Sequence, residues 1–148
     1  MDFDIPQELK QIQSLVRRFV REELQPLENR VEKDHDFPED IRKPLIKRAF
    51  ELGIRQMGLP QEYGGTNIGA LGQTLVNEEL GWVSEAINYG IISGDQGLLD
   101  VATEEQREKY FLPALRGDRE HCPAWSEPDA AGDAGGIQTR AVRSGKGW

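Results

Sequence analysis

The sequence predicts a mainly α protein: a helical bundle over residues 1–117, followed by the first strands of an incomplete β-domain over residues 118–148. Two observations lead to this prediction. Up to Arg116, apolar residues recur every three to four positions, which is the period of helices with one buried face. After Gly117 this period stops, glycine becomes frequent and large apolar side chains become rare. Such a change of composition is typical of a domain boundary.

Size, charge and cysteine content exclude several functions. The chain has 148 residues, of which 37% are hydrophobic, so it can build one ordinary core. A net charge of -8 argues against a nucleic-acid partner, because clustered lysines and arginines bind phosphates. No apolar run approaches the roughly 20 residues that span a bilayer. Cys122 is the only cysteine, which excludes an intrachain disulfide and a CxxC metal site. We expect a cytoplasmic protein, since the first residues lack the features of a signal peptide.

The first helix is predicted from its apolar stripe and from two prolines. Pro6 suits the first turn, where a missing N–H costs nothing. Pro26 either ends the helix or starts a short second one, because its ring clashes with the preceding turn. The stripe consists of Leu9, Ile12, Val16, Phe19 and Val20.

Further stripes predict helices between Pro38 and Leu99. One closes at Gly53, a residue type suited to the left-handed position after a helix, and the next ends near Gly81. The segment Ala86–Leu99 is apolar with small residues and predicts a largely buried helix. The two stripes consist of Ile41, Leu45, Ala49 and Leu52, and of Leu71, Leu75, Val76 and Leu80.

The last helix has a well-defined start. The Thr103 hydroxyl can accept from the N–H of Gln106, whose side chain can reach back to the cap, which forms a capping box. We expect the helix to end at Arg116-Gly117. Beyond it, His121–Ser126 and Gln138–Val142 are predicted as short strands, the second because polar and small residues alternate.

Three segments resemble motifs of the acyl-CoA dehydrogenase family. Pro60-Gln-Glu-Tyr-Gly-Gly65 resembles the P-x-x-Y-G-G turn of that family. Thr103-Glu-Glu-Gln-Arg-Glu-Lys-Tyr110, followed by Leu112, Pro113 and Gly117, resembles its T-x-x-Q-K-x-K-Y-L-P…G helix. Ala124-Trp-Ser-Glu-Pro-Asp-Ala130, with Asp133, Thr139 and Ala141, resembles its A-x-T/S-E-P-x-A-G-S-D…T-x-A signature. The order and spacing of the three make the resemblance specific.

The resemblance implies a fold and an activity. Members have an amino-terminal helical domain, a middle β-domain and a carboxy-terminal helical domain, with FAD bound between the last two and a second subunit. They desaturate acyl-CoA thioesters, pass electrons to an electron-acceptor flavoprotein and form homo-oligomers. Their glutamate base belongs to the carboxy-terminal domain, and neither Glu127 nor Glu79 corresponds to it. We therefore expect an amino-terminal fragment that is not catalytic alone. The alternatives are a free-standing helical domain that binds a partner and a truncated relic.

The resemblance also implies site residues near the end of the chain. Trp125 and Ser126 correspond to a segment that runs along the flavin, where a hydroxyl bonds the ring's polar edge. The alternative is an ordinary turn with a core tryptophan. Gly132 stands where the family has a serine that contacts acyl-CoA beside the cofactor. It offers no hydroxyl, but its N–H can reach a pyrophosphate oxygen.

Tyr89 is the second predicted substrate contact. The resemblance places it on the helix that closes the acyl pocket, where its ring would favour a short or branched acyl group. The alternative is a core aromatic residue with a satisfied hydroxyl. No metal site is predicted, since Asp34-His35-Asp36 is typical of a solvated charged loop.

Overall fold

The computed structural model describes residues 4–92, 98–120, 126–130 and 133–145, and the regular secondary structure of these residues is helical. No helix of the described part is long and apolar enough to cross a membrane. The α-helices are α1 (Gln7–Phe19), α2 (Glu28–Asp34), α3 (Glu39–Glu51), α4 (Gly69–Leu80), α5 (Glu85–Ile92), α6 (Leu98–Val101), α7 (Glu104–Gln106) and α8 (Leu112–Arg116).

Two of these helices continue through prolines by way of π-helical segments. Val20–Leu24 extends α1 and is followed by a 3-10 turn at Gln25–Leu27, which contains Pro26 and leads into α2. Arg107–Phe111 joins α7 to α8 just before Pro113. A proline cannot donate to the carbonyl four residues earlier, so a shift to wider hydrogen bonding keeps the chain helical. Pro26 therefore lies in the turn that leads from the first helix into α2, and Pro6 lies at the N-cap of α1 rather than in its first turn.

The main core lies where α1 packs against α4 and α3 packs against α5. A smaller core joins Phe111 and Leu115 to Leu59, and the ring of Tyr63 meets Phe111 edge-on at 5.8 Å. Both cores are apolar, so burial of hydrocarbon drives the folding of the helical region. The largest fully buried side chains of the main core are Val16, Phe19, Val20, Leu24, Ile87 and Ile91.

The stripe predicted for α4 is wrong at one position. Leu71 is 51% exposed, and the neighbouring Gly72 is buried instead. A Cβ at Gly72 would come within 2.6 Å of Ile68 and 3.1 Å of Leu9, so the glycine allows α4 to approach α1 closely. That approach rotates Leu71 away from the core.

The segment predicted as one largely buried helix is buried along one face only. Helix α5 buries Ile87 and Ile91, while Tyr89 is 46% exposed, so the reading of Tyr89 as a core aromatic is wrong. Residues 93–97 lie outside the described ranges, and α6 follows them.

The predicted helix ends are confirmed at three positions. Gly53 and Gly117 follow α3 and α8 with φ values of 77° and 78°, which favour glycine. Thr103 and Gln106 form the capping box at the start of α7. A Cβ on Gly117 would lie 2.3 Å from the Ile46 side chain, so this turn also needs glycine for space.

No β-strand occurs in the described residues after Gly117, and the strand predicted over Gln138–Val142 is wrong. Those residues have no regular structure, and a 3-10 turn at Ala134–Gly136 precedes them. A lone extended segment has no ladder partner, and two or three short strands do not form a stable sheet. The other predicted strand, His121–Ser126, lies outside the described residues except for Ser126.

Candidate functional site

The loop from Ser126 to Thr139 is closed by one carboxylate. Glu127 Oε2 accepts the backbone N–H of Gln138, and Oε1 accepts the N–H of Thr139, each at 2.8 Å. These bonds span eleven and twelve residues, so they bring the two ends of the loop together. We call Ser126–Thr139, with the described residues between them, the Glu127 loop.

The donors around Glu127 favour its charged form. Hydrogen bonds from the Gln138 N–H, then from the Thr139 hydroxyl and N–H, hold the pKa of the Glu127 carboxyl below its usual range. Several donors aimed at one carboxylate have this effect because they bind the ionised oxygens more strongly than a protonated acid. The loop is therefore closed by a carboxylate that is ionised at neutral pH.

Shorter contacts order the middle of the Glu127 loop. The Ala130 N–H donates to the carbonyl of Glu127, and the Asp133 N–H donates to the carbonyl of Ala130 at 2.8 Å. The Asp133 side chain accepts the N–H of Gly135 at 2.9 Å. Ala130 is the one described residue of this loop that is buried.

Of the residues predicted to contact the flavin, Ser126 is described and exposed. It precedes Glu127 directly, so the bonds of Glu127 fix the backbone that carries its hydroxyl. An exposed hydroxyl on a closed loop fits the predicted contact with the polar edge of a ring. Trp125 and Gly132 lie outside the described residues.

Tyr89 lies at a different place, on a cavity of about 120 Å³ between α3, α5 and α8. No described residue of the Glu127 loop lines this cavity, so the structure does not bring Tyr89 and Ser126 into one pocket. Arg42 and Glu120 form an ion pair at 3.0 Å in its wall. The other residues around the cavity include Ile46, Arg55, Ala114 and Arg119.

Arg55 forms part of the cavity wall and is a feature that the sequence analysis missed. Its buried guanidinium donates to the carbonyl oxygens of Leu115 at 2.9 Å, Ala114 at 3.1 Å and Ile91. These carbonyls belong to the last turns of α5 and α8, whose C-terminal ends favour a cation. Burial lowers the pKa of Arg55 to about 10. An arginine between the apolar residues Ile54 and Met57 is a sequence signal for such a role.

Among the described residues Glu79 is the other buried ionisable group, and its partners explain why it is a poor base. Its carboxylate lies between α4 and α1, where Arg17 donates through Nη2 at 2.5 Å and Nε at 2.9 Å. Gln13 Nε2 adds a bond at 2.9 Å. The hydrogen bond from Arg17 holds the pKa of Glu79 below its usual range. Glu79 therefore joins two helices and has little affinity for a substrate proton.

Comparisons with known proteins agree with the sequence motifs. Residues 6–118 match the family described as acyl-CoA dehydrogenase, N-terminal domain. The chain is 30% identical to acryloyl-CoA reductase (NADH) of Anaerotignum propionicum over 96% of this chain and 36% of that protein. It is 29% identical to the mitochondrial short-chain specific acyl-CoA dehydrogenase of Bos taurus, over 98% of this chain and 35% of that one.

A solved structure shows the same fold. Glutaryl-CoA dehydrogenase from Mycobacterium smegmatis is 26% identical and superposes with a TM-score of 0.79. The match covers 95% of this chain and 36% of that protein. The chain thus spans little more than a third of the length of its relatives.

Proposed function

The chain belongs to the acyl-CoA dehydrogenase family, and we propose that it forms the amino-terminal part of a FAD-dependent enzyme that desaturates an acyl-CoA thioester. Residues 1–117 supply the helical domain, and residues 118–148 begin the middle domain that contacts the flavin. The observation that carries the proposal is the Glu127 loop, which lies in the family's signature segment and presents an exposed Ser126.

In this proposal the chain's own residues orient the cofactor and limit the substrate. The Ser126 hydroxyl would bond the polar edge of the flavin, and the adjacent Trp125 would be the second flavin contact. The N–H of Gly132 would bond a pyrophosphate oxygen of the cofactor, at the position that corresponds to the family's acyl-CoA contact. Tyr89 limits the length of the acyl group. Bound FAD would supply the hydride acceptor, and the proton from the substrate goes to a base that these residues do not include.

The remaining partners belong to the same proposal. We expect the complete protein to form a homo-oligomer and to pass electrons to an acceptor flavoprotein, as the family resemblance implies. The single cysteine is consistent with the reducing cytoplasm. The chain is similar to a reductase as well as to a dehydrogenase. The complete protein could therefore reduce or desaturate the acyl chain, and its electron donor or acceptor would decide which reaction runs.

A second candidate, a helical domain that binds a protein partner, is favoured by exposed apolar side chains. Trp82 is 64% exposed and Val101 is 81% exposed, although both are large apolar residues in or next to helices. Exposed tryptophan is enriched at protein interfaces. The same surface would be covered by the remaining domains of a complete dehydrogenase, so isolating the native protein discriminates between the two candidates.

The test is to purify the protein that carries this sequence from its native source and to titrate it with acyl-CoA thioesters without oxygen. We expect bound FAD whose visible absorption is bleached by a short-chain acyl-CoA. A protein that contains no flavin and co-purifies with another chain would support the partner-binding domain instead. In the flavin-containing protein, Tyr89→Ala should shift the preference toward longer acyl chains by about tenfold in kcat/KM, the effect of one or two methylenes in an apolar pocket.

The matched control for Tyr89 is Tyr110→Ala, because Tyr110 is similarly exposed and lies on the π-helical segment, where it faces Arg119 but does not line the cavity itself. It should leave the chain-length preference unchanged. A Tyr89→Ala protein with the wild-type preference would contradict the assignment of Tyr89 to the acyl pocket.

A further inference from the structure

The family resemblance assigns no role to Glu127, yet this residue makes the contacts that close the loop. Three hydrogen-bond donors, the N–H groups of Gln138 and Thr139 and the Thr139 hydroxyl, converge on its two carboxylate oxygens. The other ordering contacts of the loop span two or three residues. In the described part of the loop, Glu127 alone provides side-chain contacts that link its two ends.

The chemistry of these contacts requires a carboxylate. Each of the two backbone N–H groups points at a different oxygen, Oε2 for Gln138 and Oε1 for Thr139. A glutamine has the same shape, but one of those oxygens becomes an NH₂ group that would face another donor. An aspartate keeps both oxygens but is one methylene shorter, so it cannot reach both groups without moving the backbone.

Ser126 directly precedes Glu127, so its backbone is joined to the residue that closes the loop. A change in the position of Glu127 moves the preceding peptide, and with it the Ser126 hydroxyl. Catalytic and cofactor contacts depend on such support because a displacement of about 1 Å already weakens a directed hydrogen bond.

We propose that Glu127 is a positioning residue, whose carboxylate closes the loop between Ser126 and Thr139 and thereby places the Ser126 hydroxyl against the flavin. This inference rests on the proposed function, and it adds to it the residue through which Ser126 is held. The lowered pKa of the Glu127 carboxyl agrees with this role, because the donors that close the loop bind the ionised carboxylate more strongly than the protonated acid.

The test uses Glu127→Gln in the native, full-length protein, with two measurements. The first is amide hydrogen exchange at Gln138 and Thr139, which does not depend on flavin. We expect exchange to accelerate at least about tenfold in Glu127→Gln, because the loss of charge-assisted hydrogen bonds opens the loop. The control is Asp129→Asn, which removes an exposed carboxylate of the same loop and should leave the exchange unchanged.

The second measurement is the dissociation constant of FAD, determined by titration of the apoprotein. We expect Glu127→Gln to weaken FAD binding by about tenfold, the scale of one lost hydrogen bond to a positioned group. If Glu127 acts through Ser126, the loss is smaller in a Ser126→Ala background, so the two substitutions are not additive. General damage to the fold would lower affinity equally in both backgrounds.

The outcomes separate this inference from the function on which it rests. Unchanged exchange at Gln138 and Thr139 in Glu127→Gln overturns the closure of the loop by Glu127. Accelerated exchange with wild-type FAD affinity, or full additivity with Ser126→Ala, overturns its positioning role. A wild-type protein that binds no FAD would overturn the proposed function and with it the placement of Ser126, while the exchange measurement still decides whether Glu127 closes the loop.

Discussion

The helical region and the Glu127 loop are held together by different forces. Between α1 and α8, two apolar cores bury side chains such as Phe19 and Phe111 almost completely. In the Glu127 loop a single buried alanine contributes little, and the long-range bonds go to one carboxylate. Apolar burial grows with area and is shared by many residues. A loop closed by one group depends on that group and on its ionisation.

The difference implies that the two regions respond separately to substitution and to pH. Damage to an apolar core should lower the free energy of unfolding of the helical region without opening the loop. Loss of the Glu127 carboxylate should open the loop without lowering that free energy. The following substitutions, ordered by the size of the expected effect, test this separation.

The largest effect is expected from Phe111→Ala. Phe111 is buried in the smaller core beside Tyr63, so truncation leaves a cavity and should cost about 3–5 kcal/mol in the free energy of unfolding. Urea denaturation followed by circular dichroism measures it. Val142→Ala is the control, because Val142 is exposed and lies beyond the Glu127 loop, and it should change the free energy by less than about 0.5 kcal/mol. Equal losses of unfolding free energy in Phe111→Ala and Val142→Ala would contradict the view that the apolar core holds the helical region together.

The next effect is expected from Gly117→Ala, at the boundary between the two regions. An alanine with φ near 78° is strained, and its Cβ would displace Ile46. The cost should be about 2–5 kcal/mol, the sum of backbone strain and overpacking. Gly53→Ala is the matched control: Gly53 also follows a helix with a φ of 77°, but a Cβ there meets no other atoms, so only about 1–2 kcal/mol of local strain remains. Thermal unfolding of the two variants separates steric crowding from strain, and equal midpoints would rule out the clash with Ile46.

A smaller effect, with a defined pH dependence, is expected from Glu79→Gln. Glu79 is 3% exposed, but the Arg17 side chain is 44% exposed, so the loss should be about 1–3 kcal/mol. The folded-state pKa of Glu79 is lowered, so its contribution is present above the unfolded pKa and is lost as pH falls through the folded pKa. Wild-type stability should therefore fall more steeply than that of Glu79→Gln below about pH 4.5, the ordinary value of a glutamate. Parallel pH profiles would contradict this role for the ion pair.

Sequence reasoning succeeded where local interactions decide the structure. The ends of α3 and α8 at Gly53 and Gly117 follow from the tolerance of glycine for positive φ. The capping box of Thr103 and Gln106 involves residues three positions apart, so it is readable from four consecutive letters. In each case the partner lies within one helical turn.

The errors arise where residues distant in the sequence determine burial, strand pairing or hydrogen-bond partners. Leu71 fits a helical stripe, but the close approach of α1 to Gly72 turns it outward. Gln138–Val142 alternates like a strand, yet no described strand lies beside it to form a ladder. The Arg55 guanidinium reaches carbonyls 36 to 60 residues away, and no local pattern specifies those partners.

The most direct test of the account is amide hydrogen exchange across the 148-residue chain, compared between the wild type and Phe111→Ala. We expect core amides of α1, α3 and α4 to exchange faster in the variant by the factor that its loss of stability predicts. The amides of Gln138 and Thr139 should keep their wild-type rates. Their protection, relative to the intrinsic exchange rate at each pH, should be lost only when pH falls far enough to protonate Glu127. If these two amides accelerate in Phe111→Ala by the same factor as the core, the loop unfolds with the helices, and the separation of the two regions is wrong.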